Sequence, residues 1–364
     1  MNAVLVPAAG ENPGLWLYRL CGMLGAAAAV DTAARLGILD HLHETPASAE
    51  EVARHCATAL DVTRLLLDAL DALGVLRRGE DGKYATTAAA RWLTTLAPGW
   101  SRLDQVVRSG QPLIPADTPA GAADLYPETV PLLAQLFAPA VRRAAQLLAP
   151  LRGDVLDVGA GAAPWSIALA LSDPTARVTA LDLPDVLRTT RRTVEAAGLA
   201  AQFEFRAGDM FTADLPQAAY GMILLGNVCH LFSPNTNRAL LQRLRPALRP
   251  GGTLAIVDAL PSEDPEECRS LSLYAIGLRL RTSAGAVHPL EAYATWTRDA
   301  GYSEVRVSSL SRTPPLALLT CTAPAPTEVR PCLQRAASGV GVAGRDVGEA
   351  PEVAVGSPDG ADTV

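Results

Sequence analysis

A chain of 364 residues, 49% of them hydrophobic, can bury one large or two medium cores, and two domains suit that length best. A formal net charge of -7 argues against a polyanionic partner, and no apolar run reaches the roughly 20 residues that cross a bilayer. Six cysteines stand singly with no C-x-x-C pair, which argues against a zinc clasp or disulfide framework and, with no leader-like N-terminus, leads to the expectation of a cytoplasmic protein.

The chain opens on helices. Leu15, Trp16, Leu20, Met23, Leu24, Ala27, Val30 and Ala34 recur at three- and four-residue steps, which predicts a helix with a broad apolar face ended by Gly37. His41 and His43, with Asp40 and Glu44, read as a polar loop facing solvent. Ser48 is expected to cap a helix over 49–55, and Asp61 one over 62–73 that Gly74 stops. Short strands over 75–78 and 83–86 flank the turn Glu80, Asp81, Gly82 and complete a winged helix-turn-helix pattern. Its would-be recognition helix sets Asp61, Asp68 and Asp71 against Arg64, so the net basic stripe that DNA phosphates require is missing.

Residues 98–127 are rich in Pro, Gly and Asp and read as a linker with loops reaching toward a site. A helix over 132–148 leads into the most informative stretch. Val155, Leu156 and Val158 read as a buried parallel strand; Gly159, Ala160, Gly161, Ala162 and Ala163 form a small-residue turn; Trp165, Ile167, Leu169 and Leu171 begin the following helix. In open α/β sheets this crevice holds nucleotides, and the acidic Asp157 beside it suits a positive group better than a pyrophosphate.

A second strand over 177–181 ends in Asp182 and Leu183, about 20 residues on, where a carboxylate can grip both ribose hydroxyls. A third over 203–205 leads to Gly208, Asp209, Met210 and Phe211, an acid for an exocyclic amine and apolar groups for a purine face. The fourth, over 222–225, runs into Gly226, Asn227, Val228, Cys229, His230, Leu231 and Phe232. Pro250, Gly251 and Gly252 precede a fifth that ends in Asp258. Strands over 305–310 and 316–321 close an antiparallel hairpin at the sheet edge, and residues after 322 lack apolar periodicity and read as a disordered tail.

Three strand ends tipped with acids, followed by this histidine segment, resemble the class I S-adenosylmethionine-dependent small-molecule O-methyltransferases of the plant caffeate and bacterial polyketide type. The resemblance spans about residues 15–322. It implies an α/β fold, a doubly wound Rossmann-like methyltransferase sheet behind an N-terminal mainly α winged-helix dimerisation domain. The expected division is 1–97 for dimerisation, 98–131 for linker and pocket loops, 132–322 for S-adenosyl-L-methionine binding, and 323–364 for the tail. Expected partners are a small-molecule methyl acceptor from secondary metabolism and a second copy in a homodimer, with no nucleic acid and no membrane.

The roles implied are Asp157, Gly159 and Gly161 at the methionine part, Asp182 and Leu183 at the ribose, and Asp209, Met210, Phe211, Asn227 and Phe232 around the adenosyl group. His230 is the implied general base and Asp258 its orienting partner, which suits a neutral imidazole taking a proton from a phenolic or enolic hydroxyl. The chain departs from the family where Leu231 and Phe232 replace the usual Asp-Trp after the histidine, and where His288, with Glu291 just beyond, stands in place of a flanking carboxylate. His288 is therefore a candidate substrate contact. It also raises a rival, a C-methyltransferase of the same fold in which His230 and His288 hold a metal that stabilises an enolate. A second rival is a winged-helix regulator that kept a relict cofactor pocket.

Overall fold

A computed structural model describes residues 12–324 except 89, 91–92 and 94–98. The expected tail therefore lies almost wholly outside the described residues. None of the described helices is by itself long and apolar enough to cross a membrane.

The first helix, Pro13–Arg35, is capped by the Asn12 side chain, which accepts from the Gly14 N–H at 2.9 Å, and Gly37 turns the chain away at φ +70°. Its apolar face is left uncovered by the described residues: Leu17 and Leu24 are 53% and 64% exposed, and burial begins only at Val30 and Ala33. Trp16 is half-buried rather than core. Ser48 caps Ala49–His55 as expected, and Glu51 completes a capping box with it.

Two expectations in this region are corrected. The helix Leu60–Ala72 starts ahead of Asp61, with Ala59 as its N-cap, and Thr63 Oγ1 donates back to the Ala59 carbonyl at 2.7 Å. His41 and His43 lie on a helix, Ile38–Glu44, rather than in a polar loop; its apolar Ile38, Leu39 and Leu42 are buried, and the His41 ring stacks on His55 at 3.9 Å. Strands β1 (Leu76–Arg78) and β2 (Tyr84–Thr86) pair antiparallel as the wing.

The expected linker is also corrected, because most of it is helical: Leu103–Ser109, then Pro119–Leu136, which abuts Ala138–Leu148. Pro127 and Pro131 sit inside the second of these, where proline normally breaks the ladder. The structure shows the compensation. Pro131 has no N–H for the Pro127 carbonyl four residues back, and Thr189 Oγ1 donates to that carbonyl at 3.2 Å instead. Packing of this helix on Pro184–Ala196 has overridden local propensity.

The large sheet runs β5 (Phe203–Ala207), β4 (Val178–Asp182), β3 (Val155–Val158), β6 (Tyr220–Gly226), β7 (Leu248–Asp258), β9 (Pro315–Thr322), β8 (Arg306–Arg312). β3 to β7 are parallel, and β9 and β8 are antiparallel. All four residues of β3 are buried, as a central strand covered by helices on both faces requires. The strand order reverses between β3 and β6, which opens a crevice at their carboxyl ends.

Candidate active site

That crevice is a cleft floored by the ends of β3, β4 and β6 and roofed by helix Pro119–Leu136. Gly159 and Gly161 adopt φ of +69° and +59°. A side chain at Gly159 would bring its Cβ to 2.9 Å from Val228 Cγ2, so only glycine lets the turn approach the cleft so closely. The turn is held from behind: Thr190 Oγ1 donates to the Gly161 carbonyl at 2.6 Å and Thr193 Oγ1 to that of Ala162 at 2.8 Å.

Asp182 is the best-placed acid. Its Oδ2 accepts from Gly161 N–H at 2.8 Å and its Oδ1 from Leu183 N–H at 2.7 Å, which fixes the carboxylate plane while each oxygen keeps a lone pair for a ligand hydroxyl. Burial pushes its pKa up to about 6, against the pull of those two bonds. Asp209 accepts from Phe211 N–H at 2.9 Å, and the Phe211 ring meets Phe232 edge-on at 5.1 Å. Asp209, Met210, Phe211, Asn227 and Phe232 all line the cleft with Gly159, Gly161, Asp182 and Leu183. Asn227 sits at φ +62° with its buried Oδ1 unpartnered, an acceptor without a donor among the described residues.

Asp157 is a correction. It is 1% exposed and does not line the cleft; its Oδ2 instead accepts from Ser166 Oγ at 2.5 Å, tying β3 to helix Pro164–Ser172. Burial pushes its pKa up to about 7, with the Ser166 hydrogen bond opposing. The folded state thus holds this proton more tightly than the unfolded chain, whose value is near 3.8. The stability it contributes is present below about pH 4 and is lost as the pH rises to about 7. Asp157→Asn, which keeps an acceptor for Ser166, is expected to raise the melting temperature over wild type at pH 8 and to change it little at pH 4. Scanning calorimetry at both values checks this; an equal shift at both means that the carboxylate charge is not the cause.

His230 lies in the turn after β6 and Asp258 at the tip of the neighbouring β7. His230 Nδ1 and Asp258 Oδ1 are 2.6 Å apart, and both residues are buried. A carboxylate only accepts, so Nδ1 carries a proton, which in the neutral ring leaves Nε2 its lone pair. Asp258 Oδ2 also accepts from the His230 N–H at 2.9 Å and from Tyr293 Oη at 3.0 Å, and Oδ1 from Ala259 N–H at 3.0 Å. The imidazole orientation is therefore fixed from several sides.

Neither residue of this pair is among those lining the cleft, although Val228, Leu231 and Phe232 beside His230 are, and His288 does not join the pair. Its Nε2 lies 3.0 Å from the Phe232 carbonyl, its ring packs edge-on against Trp296 at 5.0 Å, and burial depresses its pKa. Neutral, it donates Nε2–H to that carbonyl and pins the Phe232 segment. Glu291 points to solvent. Among the described residues no three His, Cys, Asp or Glu side chains are grouped to hold a metal.

The sequence reading missed the roof, Asp117, Tyr126 and Val130, and the support from Tyr293. Trp165 both packs on Phe137 at 6.0 Å and lines the cleft. Its contact with Gly226, where any Cβ would collide with the indole, ties that glycine to packing.

Comparison with known proteins agrees with this geometry. Residues 18–96 match an O-methyltransferase dimerisation domain and residues 130–303 an O-methyltransferase domain. The chain is 29% identical over 303 residues to a 3-hydroxy-5-methyl-1-naphthoate 3-O-methyltransferase of Streptomyces sahachiroi, covering 77% of this chain and 85% of that protein. It is 27% identical to the tetracenomycin polyketide synthesis 8-O-methyl transferase TcmO of Streptomyces glaucescens, covering 85% and 96%. The fold superposes on human N-acetylserotonin methyltransferase in complex with SAM, with a TM-score of 0.66 at 20% identity over 87% of this chain and 99% of that one. The chain belongs to the S-adenosylmethionine-dependent O-methyltransferase family that joins an N-terminal dimerisation domain to a methyltransferase domain.

Proposed function

We propose that this enzyme methylates a hydroxyl oxygen of a small aromatic, polyketide-like metabolite, with His230 as the general base. The observation that carries this reading is the His230–Asp258 pair at 2.6 Å beside a cleft shaped for an adenosyl group. Two of the relatives above are named for methylating oxygen on such molecules, one of them a hydroxynaphthoate.

The fit to the cofactor rests on features of the chain. Asp182 offers a pre-aligned carboxylate for two ribose hydroxyls, Asp209 an acceptor near Met210 and Phe211, and Asn227 an orphaned buried oxygen for a donor. S-adenosylmethionine supplies a methyl group activated on a sulfonium, transferred in line to the acceptor.

The protein then has two tasks, to align the acceptor and to remove its proton. His230 Nε2 receives the proton as the acceptor oxygen bonds to the methyl carbon and the carbon–sulfur bond breaks. Asp258 holds the tautomer and stabilises the imidazolium that forms. Tyr293, through Asp258, is a positioning residue.

The dimerisation domain and the exposed apolar face of helix Pro13–Arg35 support a homodimer. For the transfer itself, the test is to incubate the enzyme with S-adenosylmethionine and a panel of phenols and to locate the new methyl by NMR. Attachment to oxygen is expected. Attachment to ring carbon would contradict the oxygen assignment and favour the enolate chemistry.

A further inference from the structure

Helix Pro119–Leu136 turns one stripe to the cleft: Pro119, Ala122, Tyr126, Val130 and Leu133 stand at three- and four-residue steps and all line it. The stripe has two distinct ends. Val130 stands at the glycine turn, where a Cβ on Gly161 would lie 3.2 Å from Val130 Cγ1. Pro119 is about 16 Å back along the helix axis, and Asp117 lies just ahead of it.

Asp117 is anchored to the segment that holds the His230 turn. Its Oδ2 accepts from Ser283 N–H at 2.8 Å, and a little further along the same segment Ala286 N–H donates to the His230 carbonyl at 2.9 Å. Ala116 N–H adds a bond to the Arg281 carbonyl at 2.8 Å. Asp117 therefore belongs to the acceptor end of the cleft. The amino-acid part of the methyl donor, expected at Gly159 and Gly161, lies toward the other end of the stripe.

The charge at the acceptor end is unbalanced. Asp117, Asp182 and Asp209 line the cleft, and none of the described lining residues is Lys, Arg or His. Asp182 and Asp209 have expected partners in the adenosyl group, whereas Asp117 has none. Its Oδ1 is buried without a hydrogen-bond partner, and Asp117 forms no ion pair among the described residues. The Arg281 guanidinium is engaged elsewhere, over the Tyr274 ring at 5.7 Å from its centroid and on the Gly277 carbonyl at 3.1 Å. A carboxylate oxygen shut off from water is costly unless a ligand brings it a donor, and a cation does so best.

Tyr126 supplies a second, independent sign, midway along the stripe. Its hydroxyl is buried and has no partner. Burial pushes the phenol up to about 12, so at neutral pH it keeps its proton and offers a donor. A molecule that satisfies both groups carries a cation at one end and an oxygen along its skeleton.

We propose that Asp117 is a specificity-determining residue for a basic amine, and that the acceptor is a hydroxyaryl compound bearing one. Its ammonium rests on Asp117 Oδ1 while the Tyr126 hydroxyl donates to an oxygen of its skeleton, and the amine is held, not methylated. This rests on the methyl-transfer reading above and adds the substrate class.

The test uses the full chain, S-adenosylmethionine and one-, two- and three-ring phenols, each supplied as the aminomethyl, hydroxymethyl and carboxyl derivative. Amines are expected to exceed their hydroxymethyl counterparts in kcat/KM by about tenfold or more, the worth of a charge-assisted hydrogen bond. Asp117→Asn, which keeps an oxygen for Ser283, should erase that preference mainly through KM; Asp117→Glu should restore part of it. Tyr126→Phe should lower kcat/KM for all derivatives alike by a few-fold and leave the amine preference standing. Titration of each variant with S-adenosylhomocysteine is expected to give wild-type affinity, which shows a folded cofactor site and separates the acceptor's amine from the ammonium of the methyl donor. Affinity for S-adenosylhomocysteine lost in Asp117→Asn, an amine preference untouched in that variant, preference for the carboxyl derivatives, methylation of the amine nitrogen, or no amine-selective binding to the S-adenosylhomocysteine-loaded enzyme would each overturn the seat. Amine-selective methylation on ring carbon would sink only the oxygen assignment, so the two readings fail separately.

Discussion

His230→Ala is expected to lower kcat by about 10²- to 10⁴-fold, the range a positioned general base supplies, while leaving the dissociation constant for S-adenosylhomocysteine unchanged. The separation follows from where the side chain is anchored. Nδ1 is engaged by Asp258, and the cleft wall proposed to receive the adenosyl group is built from the tips of β3, β4 and β6 and not from the imidazole. The loss should depend on the acceptor. A phenol already ionised at the assay pH has no proton to give and should lose little; one with a pKa well above the assay pH should lose most. Stopped assays across acceptors of graded acidity, with parallel cofactor titrations, check both parts. Undiminished turnover of weakly acidic acceptors would mean that alignment alone carries the reaction. This variant is a cleaner probe than a change at Asp258, whose carboxylate also accepts from the backbone of His230 and Ala259 and from Tyr293.

Asp182→Asn is expected to weaken cofactor binding by about tenfold to a hundredfold, because it removes the charge behind the two hydrogen bonds proposed from the ribose. The amide keeps the side-chain volume but has only one oxygen. It can still accept from Gly161 N–H or from Leu183 N–H, but not from both, so the glycine turn also loses a restraint. The effect should appear in KM for S-adenosylmethionine more than in kcat, since the residue is remote from the proton transfer.

The parts of this architecture that sequence reveals are those with short-range signatures. The buried run of β3, the small-residue turn, and acids placed just after apolar strands are all local, and Asp182, Asp209, Asn227 and His230 fall at or beside strand tips in the structure. Asp157 shows the limit of such reasoning. Its position at the strand end looks the same in one dimension whether the carboxylate faces the cleft or the helix behind it, and the alternation of β3 sends it to Ser166. His288 fails similarly: a histidine near the site in sequence terms turns out to hold the Phe232 carbonyl.

The helical roof escaped for a different reason. Pro127 and Pro131 are breakers by local rules, and the hydroxyl of Thr189, distant in sequence, satisfies the carbonyl that Pro131 leaves without its N–H. Asp117 reaches the cleft wall through the docking of residues 113–117 on the end of helix Pro265–Arg281, and no periodicity announces that contact.

The central claim is that acids at the tips of adjacent parallel strands clasp the adenosyl group of the methyl donor. Isothermal titration of S-adenosylhomocysteine into the wild-type enzyme and into Asp182→Asn tests it most directly. The account predicts saturable single-site binding to the wild type and a dissociation constant raised by about tenfold or more in the variant. Identical affinities in two equally folded proteins would contradict it.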